Sequence, residues 1–269
     1  MVGRAGLPMW AVLPAVCALG AAQPAKTYTA KDYVFEAVRA ELAAAAADHT
    51  VWLYYEVDMK PGDGTVQWAA DTRMGELDRI LEKNGNRFTP EEQRSKMDAF
   101  IDSPAAQVRQ RKGGQHDDRQ AAQMLNLLPN AFLWTMTRQA GGKTYLHFRP
   151  DPNFRPPTWE SRVFAAMEGD MVVDDARFRI ESLKGRMIHQ VKFGWGLLGE
   201  LEPGGTFDVE RRELAPGVWQ ITQTHVHIQG HALIFKSISE QEDDVKSRFQ
   251  QLPENIAFRE AEEKLMAQP

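Results

Sequence analysis

EGDMVVDDARFRIESLKG (168–185), RMIHQVKFGWGLLGELEPGG (186–205), TFDVERRELAPG (206–217), VWQITQTHVHIQG (218–230) and HALIFKSIS (231–239) follow one another along the chain. Each piece alternates apolar and polar residues over the length of a strand, and glycine or proline cuts it from the next. The stretch from Glu168 to Lys236 therefore predicts an antiparallel β meander.

Upstream, AELAAAAADH within Ala30 to Asp48 is built from the best helix former, with Val34, Ala37, Val38, Glu41 and Leu42 near one helical period. TVWLYYEVDM follows as a strand, with Val51, Leu53, Tyr55 and Val57 on one face and Trp52, Tyr54 and Glu56 on the other. Pro61 to Gly64 turns the chain into TVQWAADTRM, and EKNGNRF marks a further turn at Gly85. Thr89-Pro90-Glu91-Glu92 then opens a helix, with threonine at the cap, proline at the first helical position and acids in the first turn. From about 89 to 128 the pattern is helical, polar and charge-rich, with breaks expected at Ser103-Pro104 and Gly113-Gly114. It reads as a helical insertion covering one end or face of a sheet. Strands return at AFLWTMTRQ and KTYLHFRP, a proline-rich loop and a short helical piece near Arg162 to Met167 follow, and Ser239 to Phe249 reads as a last edge strand. FREAEEKLMA closes the chain as an amphipathic helix. The fold class is mainly β with helices (α+β).

The 269 residues are 43% hydrophobic and 26% charged, an ordinary globular balance, and the formal net charge of −5 argues against a nucleic-acid partner. Arg4, the apolar run Leu7–Leu19 and Gly20-Ala21-Ala22 describe a secretory signal peptide over residues 1–22, cleaved near Ala22. Residues 23–269 then form a single periplasmic or secreted domain with no stable membrane span. Cys17, the only cysteine, lies in the leader, so the mature chain would have neither a disulfide nor a thiolate metal site.

Chemical motifs are sparse. Gly194-Trp195-Gly196-Leu197-Leu198-Gly199 has dinucleotide-loop spacing, but Glu200, Glu202 and Pro203 stand where a phosphate-binding helix should begin, so the glycines read as a bend in a sheet. His225 and His227 share a strand face and His231 lies one turn on, a weak alternative metal site; Val226 and Ile228 opposite them suggest the wet side of an edge-adjacent hairpin. No GxSxG is present, and no pair of carboxylates stands out. The chain is read as non-enzymatic, with no cofactor. Large apolar groups on both faces of several strands mean that both faces are covered or that one lines a cavity.

The meander segments, with ALIFKSISEQEDDVKSRF and the early helix followed by VWLYYEVD, resemble the LolA-like and RseB-like bacterial envelope proteins, and within them an uncharacterised secreted subfamily. The resemblance implies a curved, incompletely closed antiparallel β-barrel covered by helices. It also implies an apolar groove for a lipid or lipoprotein acyl chain, and a possible envelope protein partner. The candidate lining residues are Trp52, Tyr54, Trp68, Phe132, Trp134, Trp195 and Phe207. A structural or regulatory module acting through a protein partner, and a metal-dependent enzyme centred on the histidines, are the alternatives.

Overall fold

The structure, a computed structural model, describes residues 27–193, 199–228, 230–232 and 241–269. The expected signal peptide and the side chains of Trp195 and His231 lie outside the described residues. Helix α1 (Ala30–Ala47) starts at Thr29, whose hydroxyl accepts from the Asp32 amide while the Asp32 carboxylate accepts from the Thr29 amide. Strands β1 (Val51–Met59), β2 (Thr65–Thr72), β3 (Gly75–Lys83) and β4 (Asn86–Arg87) run up and down. Helices α2 (Pro90–Ile101) and α3 (Pro104–Ala131) follow, α2 capped at Thr89 with Pro90 in its first turn. Then come β5 (Phe132–Ala140), β6 (Lys143–Pro150), α4 (Trp159–Phe164), β7 (Met167–Asp174), β8 (Arg179–Met187), β9 (Val191–Phe193) and β10 (Gly199–Leu201). The chain ends with β11 (Thr206–Ala215), β12 (Val218–His227), β13 (Gly230–Ala232), β14 (Gln241–Leu252) and α5 (Phe258–Met266).

Eleven of these strands make one antiparallel sheet in the order β4-β3-β2-β1-β14-β12-β11-β8-β7-β6-β5. Its end strands β4 and β5 do not pair, so the sheet is open and is not closed into a barrel. The meander is present as β7-β8-β11-β12, but β9 and β10 leave it and pair with β13 in a separate three-stranded sheet.

Two expectations are corrected. The segment read as a last edge strand is β14, and it lies inside the sheet between β12 and β1. Its run of acids looks like a solvated edge, but Lys246 answers Glu56 across the strand pair and makes the interior position tolerable. Helix α3 also continues through Gly113-Gly114. Both glycines are exposed and meet nothing, so they weaken the helix by about 1 kcal/mol each relative to alanine without breaking it.

Two apolar cores lie on opposite faces of the sheet. On one face, Val51, Leu53, Trp68, Ala70 and Leu77 of β1–β3 pack against Met97 of α2 and Phe258, Ala261 and Leu265 of α5. On the other, β5–β12 pack Leu146, Phe148, Met171 and Val173 beneath Tyr33, Val34, Ala37 and Val38 of α1 and Leu128 and Ala131 of α3. Because the helices cover different faces at the two ends, β1–β3 and β5–β12 cannot be lined on one common inside by helices.

Glu41 of α1 ties the second core together. Its carboxylate accepts from the Ile180 amide at 2.8 Å, from Arg179 Nε and Nη2 at 3.1 and 3.0 Å, and lies 2.6 Å from Arg211 Nη1. Burial pulls this carboxyl upward, but the Arg179 hydrogen bonds and the Arg211 charge together hold it below its ordinary range.

Candidate functional site

The cross-strand register lines up one transverse row of side chains on a single sheet face. It runs Trp134, Phe148, Gly169, Gly185, Phe207, Val226 and Glu242, from β5 to β14. Directly opposed residues of antiparallel strands point to the same face, so Phe148 and Phe207 flank the glycine pair and their rings can settle over it.

This ring packing needs glycine. A Cβ on Gly185 would stand 2.4 Å from Phe207 Cε1, and one on Gly169 would meet the Lys184 carbonyl at 2.0 Å and Phe148 Cζ at 2.8 Å. The two rings therefore lie over bare backbone. Gly185→Ala is expected to destabilise the fold by about 1–3 kcal/mol through overpacking, measured by urea titration. An unchanged midpoint would show that Phe207 swings away freely.

Beside these rings is a partly open cavity of about 250 Å³. Phe132, Phe148, Leu183, Phe207 and Val226 form its sheet side, Leu128 of α3 and Phe164 of α4 its roof, and Met167 and Ile228 its ends. Every lining residue is apolar. A larger cleft of about 470 Å³ between Gln120–Leu127 of α3 and Pro157-Thr158 is open and mixed in character.

The structure divides the candidate lining residues. Phe132 and Phe207 line the cavity, and Trp134 stands beside it, its ring 5.3 Å from Phe148 and its Nε1 donating to the Leu128 carbonyl. Trp52 and Tyr54 lie on the same sheet face but far along it, packed with Ala69 and Phe249. Trp68 faces the opposite way, buried in the α2/α5 core. The insertion is divided too, since α2 lies on the face away from the cavity and only the last turns of α3 roof it.

His225 and His227 do share a strand face, the one opposite the cavity. Strand β12 is interior to the sheet rather than edge-adjacent. Asp243 of β14 meets both imidazoles, His225 Nδ1 at 2.6 Å and His227 Nε2 at 3.0 Å, and these hydrogen bonds hold its carboxyl below the ordinary range against a smaller opposing effect of burial. Among the described residues no group of three histidine, cysteine or acidic side chains is placed to hold a metal ion. The backbone of His231 belongs to β13, in the other sheet.

Comparison with protein-family models, with curated proteins and with solved structures finds no match. The site is therefore interpreted from its own geometry. Strand β10 begins at Gly199, so no phosphate-binding helix starts at the end of the glycine-spaced segment. No helix among the described residues is long and apolar enough to cross a membrane. Sequence reasoning missed Leu128, Phe148, Phe164, Met167, Leu183, Val226 and Ile228 of the lining, and Gly169 and Gly185 beneath the rings. Gly169 and Gly185 are each placed in mid-strand, an unfavourable position that signals a close approach, and that was the available clue.

Proposed function

We propose that the protein binds an acyl chain, as a lipid or as the anchor of a lipoprotein, in the apolar cavity between β5–β12 and the end of α3. The observation that carries this reading is a cavity of about 250 Å³ whose lining side chains are all apolar. An apolar void of this kind stays dry and takes apolar guests. At roughly 30 Å³ per methylene, taken as equal to a water's share of the liquid, it holds about eight methylenes. At about 0.8 kcal/mol each these contribute roughly 6 kcal/mol, which places the dissociation constant between millimolar and micromolar. The guest is a stretch of chain rather than a whole lipid.

The same reading takes the open eleven-stranded sheet, with α1 and α3 on one face of β5–β8, as the curved, incompletely closed barrel of LolA-like and RseB-like envelope proteins. It takes the chain as a single periplasmic or secreted domain whose leader is removed. The supports are the sheet order, its unpaired ends and the helices over the cavity. The test is extraction of the purified full chain with organic solvent, followed by mass spectrometry. Recovery of acyl lipid in proportion to protein is expected. A lipid-free protein that also fails to bind a fluorescent fatty acid contradicts the proposal.

A further inference from the structure

The face that carries the cavity continues past β12 and changes character. Beyond Val226 the row meets Glu242, and the next strands present Asp244 and Lys246 on β14, Tyr54, Glu56 and Asp58 on β1, Gln67 and Asp71 on β2, and Glu76 and Asp78 on β3. Asp58 stands directly opposite Asp244, and Asp71 directly opposite Glu76. Like charges so placed repel. Among the described residues, seven carboxylates on this strip are answered by two ammonium groups. Lys246 reaches Glu56 at 3.1 Å and Asp244 at 3.7 Å, and Lys60, just after β1, reaches Asp58 at 3.2 Å and Glu242 at 3.0 Å. Gln67 donates to Glu56, Tyr54 donates its hydroxyl to Glu76, and the Trp52 amide approaches Asp71 at 3.3 Å. From β12 the strip receives only Thr224, which carries no charge.

Even so, Asp58 Oδ1, Asp78 Oδ1 and Asp244 Oδ1 are sequestered from solvent with no hydrogen-bond partner among the described residues. A buried carboxylate oxygen in that position needs a proton or a cation. Neither of the two cavities described above is lined by these side chains. The location gives the protons a consequence. Among the described residues, strand β14 alone joins the β1–β4 ribbon to the β5–β12 half of the sheet, and its pairing with β12 spans only Gln223–His227 against Val245–Gln241.

We infer that this strip is a proton-operated latch: at mildly acidic pH its carboxylates share protons and hold β14 against β1 and β12, and above neutrality they release them to solvent and the seam loosens. Burial, reinforced by neighbouring carboxylates, lifts Asp71 and Asp244 to about 7 and raises Asp58 and Asp78 as well. A carboxyl raised in the folded state stabilises the fold below its unfolded value and loses that contribution as pH rises through its folded value. The window is therefore about pH 4 to 7 for Asp71 and Asp244. On the opposite face Asp243, held low by His225 and His227, contributes in the other sense and falls away only as pH drops below the ordinary carboxylate range.

The inference stands on the seam and is independent of any ligand. Its test is amide hydrogen exchange of the full chain, corrected for the intrinsic pH dependence, together with thermal melts at fixed ionic strength. From about pH 5.5 to about pH 8 the β14 and β1 amides are expected to exchange at least roughly tenfold faster, and Tm to fall by about 5 °C or more. Asp244→Asn and Asp71→Asn, both isosteric, should flatten both profiles and raise Tm at the higher pH. A wild-type Tm as high at pH 8 as at pH 5.5 overturns the latch, as do profiles unchanged in both variants. A rise in Tm at pH 8 on adding calcium would assign the orphan oxygens to a cation and overturn it too.

Discussion

Glu41→Ala is expected to lower the unfolding free energy by about 3–5 kcal/mol, the typical effect of removing one partner from a buried ion pair. The carboxylate is 6% exposed and faces Arg179, also 6% exposed, with Arg211 beside them. Alanine would leave both guanidiniums without their anion and the Ile180 amide without its acceptor. For a chain of this size the corresponding fall in Tm is about 10 °C. Glu41→Gln keeps the shape and part of the hydrogen bonding and should destabilise less. The pH dependence has a definite sign. Because the folded carboxyl sits below its ordinary value of 4.5, its contribution is complete above that pH and is lost as pH falls through the folded value. An alanine variant within 1 kcal/mol of wild type would mean that the two arginines find other partners, and that α1 is held to the sheet by its apolar face alone.

Val226→Phe is the second large effect. Val226 forms part of the cavity's sheet side and lies directly across from Phe207, so an added ring projects into the void. The ring takes the place of roughly four methylenes of a bound chain, about 3 kcal/mol, and acyl affinity should fall about 100-fold. Folding stability should change by less than about 1 kcal/mol, since the ring enters space that is already present. Binding measured by fatty-acid fluorescence and stability measured by urea titration therefore separate. Loss of both together would show that Phe at this position disrupts the strand, and Leu183→Phe on the neighbouring wall is then the variant that decides.

The strands and helices were legible in the sequence because their signals are local. Thr89-Pro90-Glu91-Glu92 marks the start of α2, Pro61 to Gly64 and Gly141-Gly142 mark turns, and alternation in VWLYYEVDM separates Leu53 from Tyr54. Sheet order is non-local. QEDDVKSRF carries nothing in its own pattern to say that Lys246 will meet Glu56, so its acids read as an edge strand's. The candidate site was half legible for the same reason. Phe132, Trp134 and Phe207 could be named as large and apolar, but Trp52 and Trp68 are equally large, adjacent strands carry them, and they end on opposite faces. What sets Phe148 and Phe207 in place is a pair of glycines 16 positions apart that become neighbours only when β7 and β8 pair. The acidic strip was invisible, because it draws its members from β1, β2, β3 and β14.

The central claim, that the apolar cavity lined by Phe132, Phe148, Phe207 and Val226 accepts an acyl chain, is tested most directly by displacing a fluorescent fatty acid with straight-chain carboxylates of increasing length. Affinity should rise about fourfold per methylene, the equivalent of roughly 0.8 kcal/mol each, and level off near eight carbons in the wild type and near about four in Val226→Phe. Absence of displacement at any length, or a length dependence identical in wild type and Val226→Phe, would contradict the account.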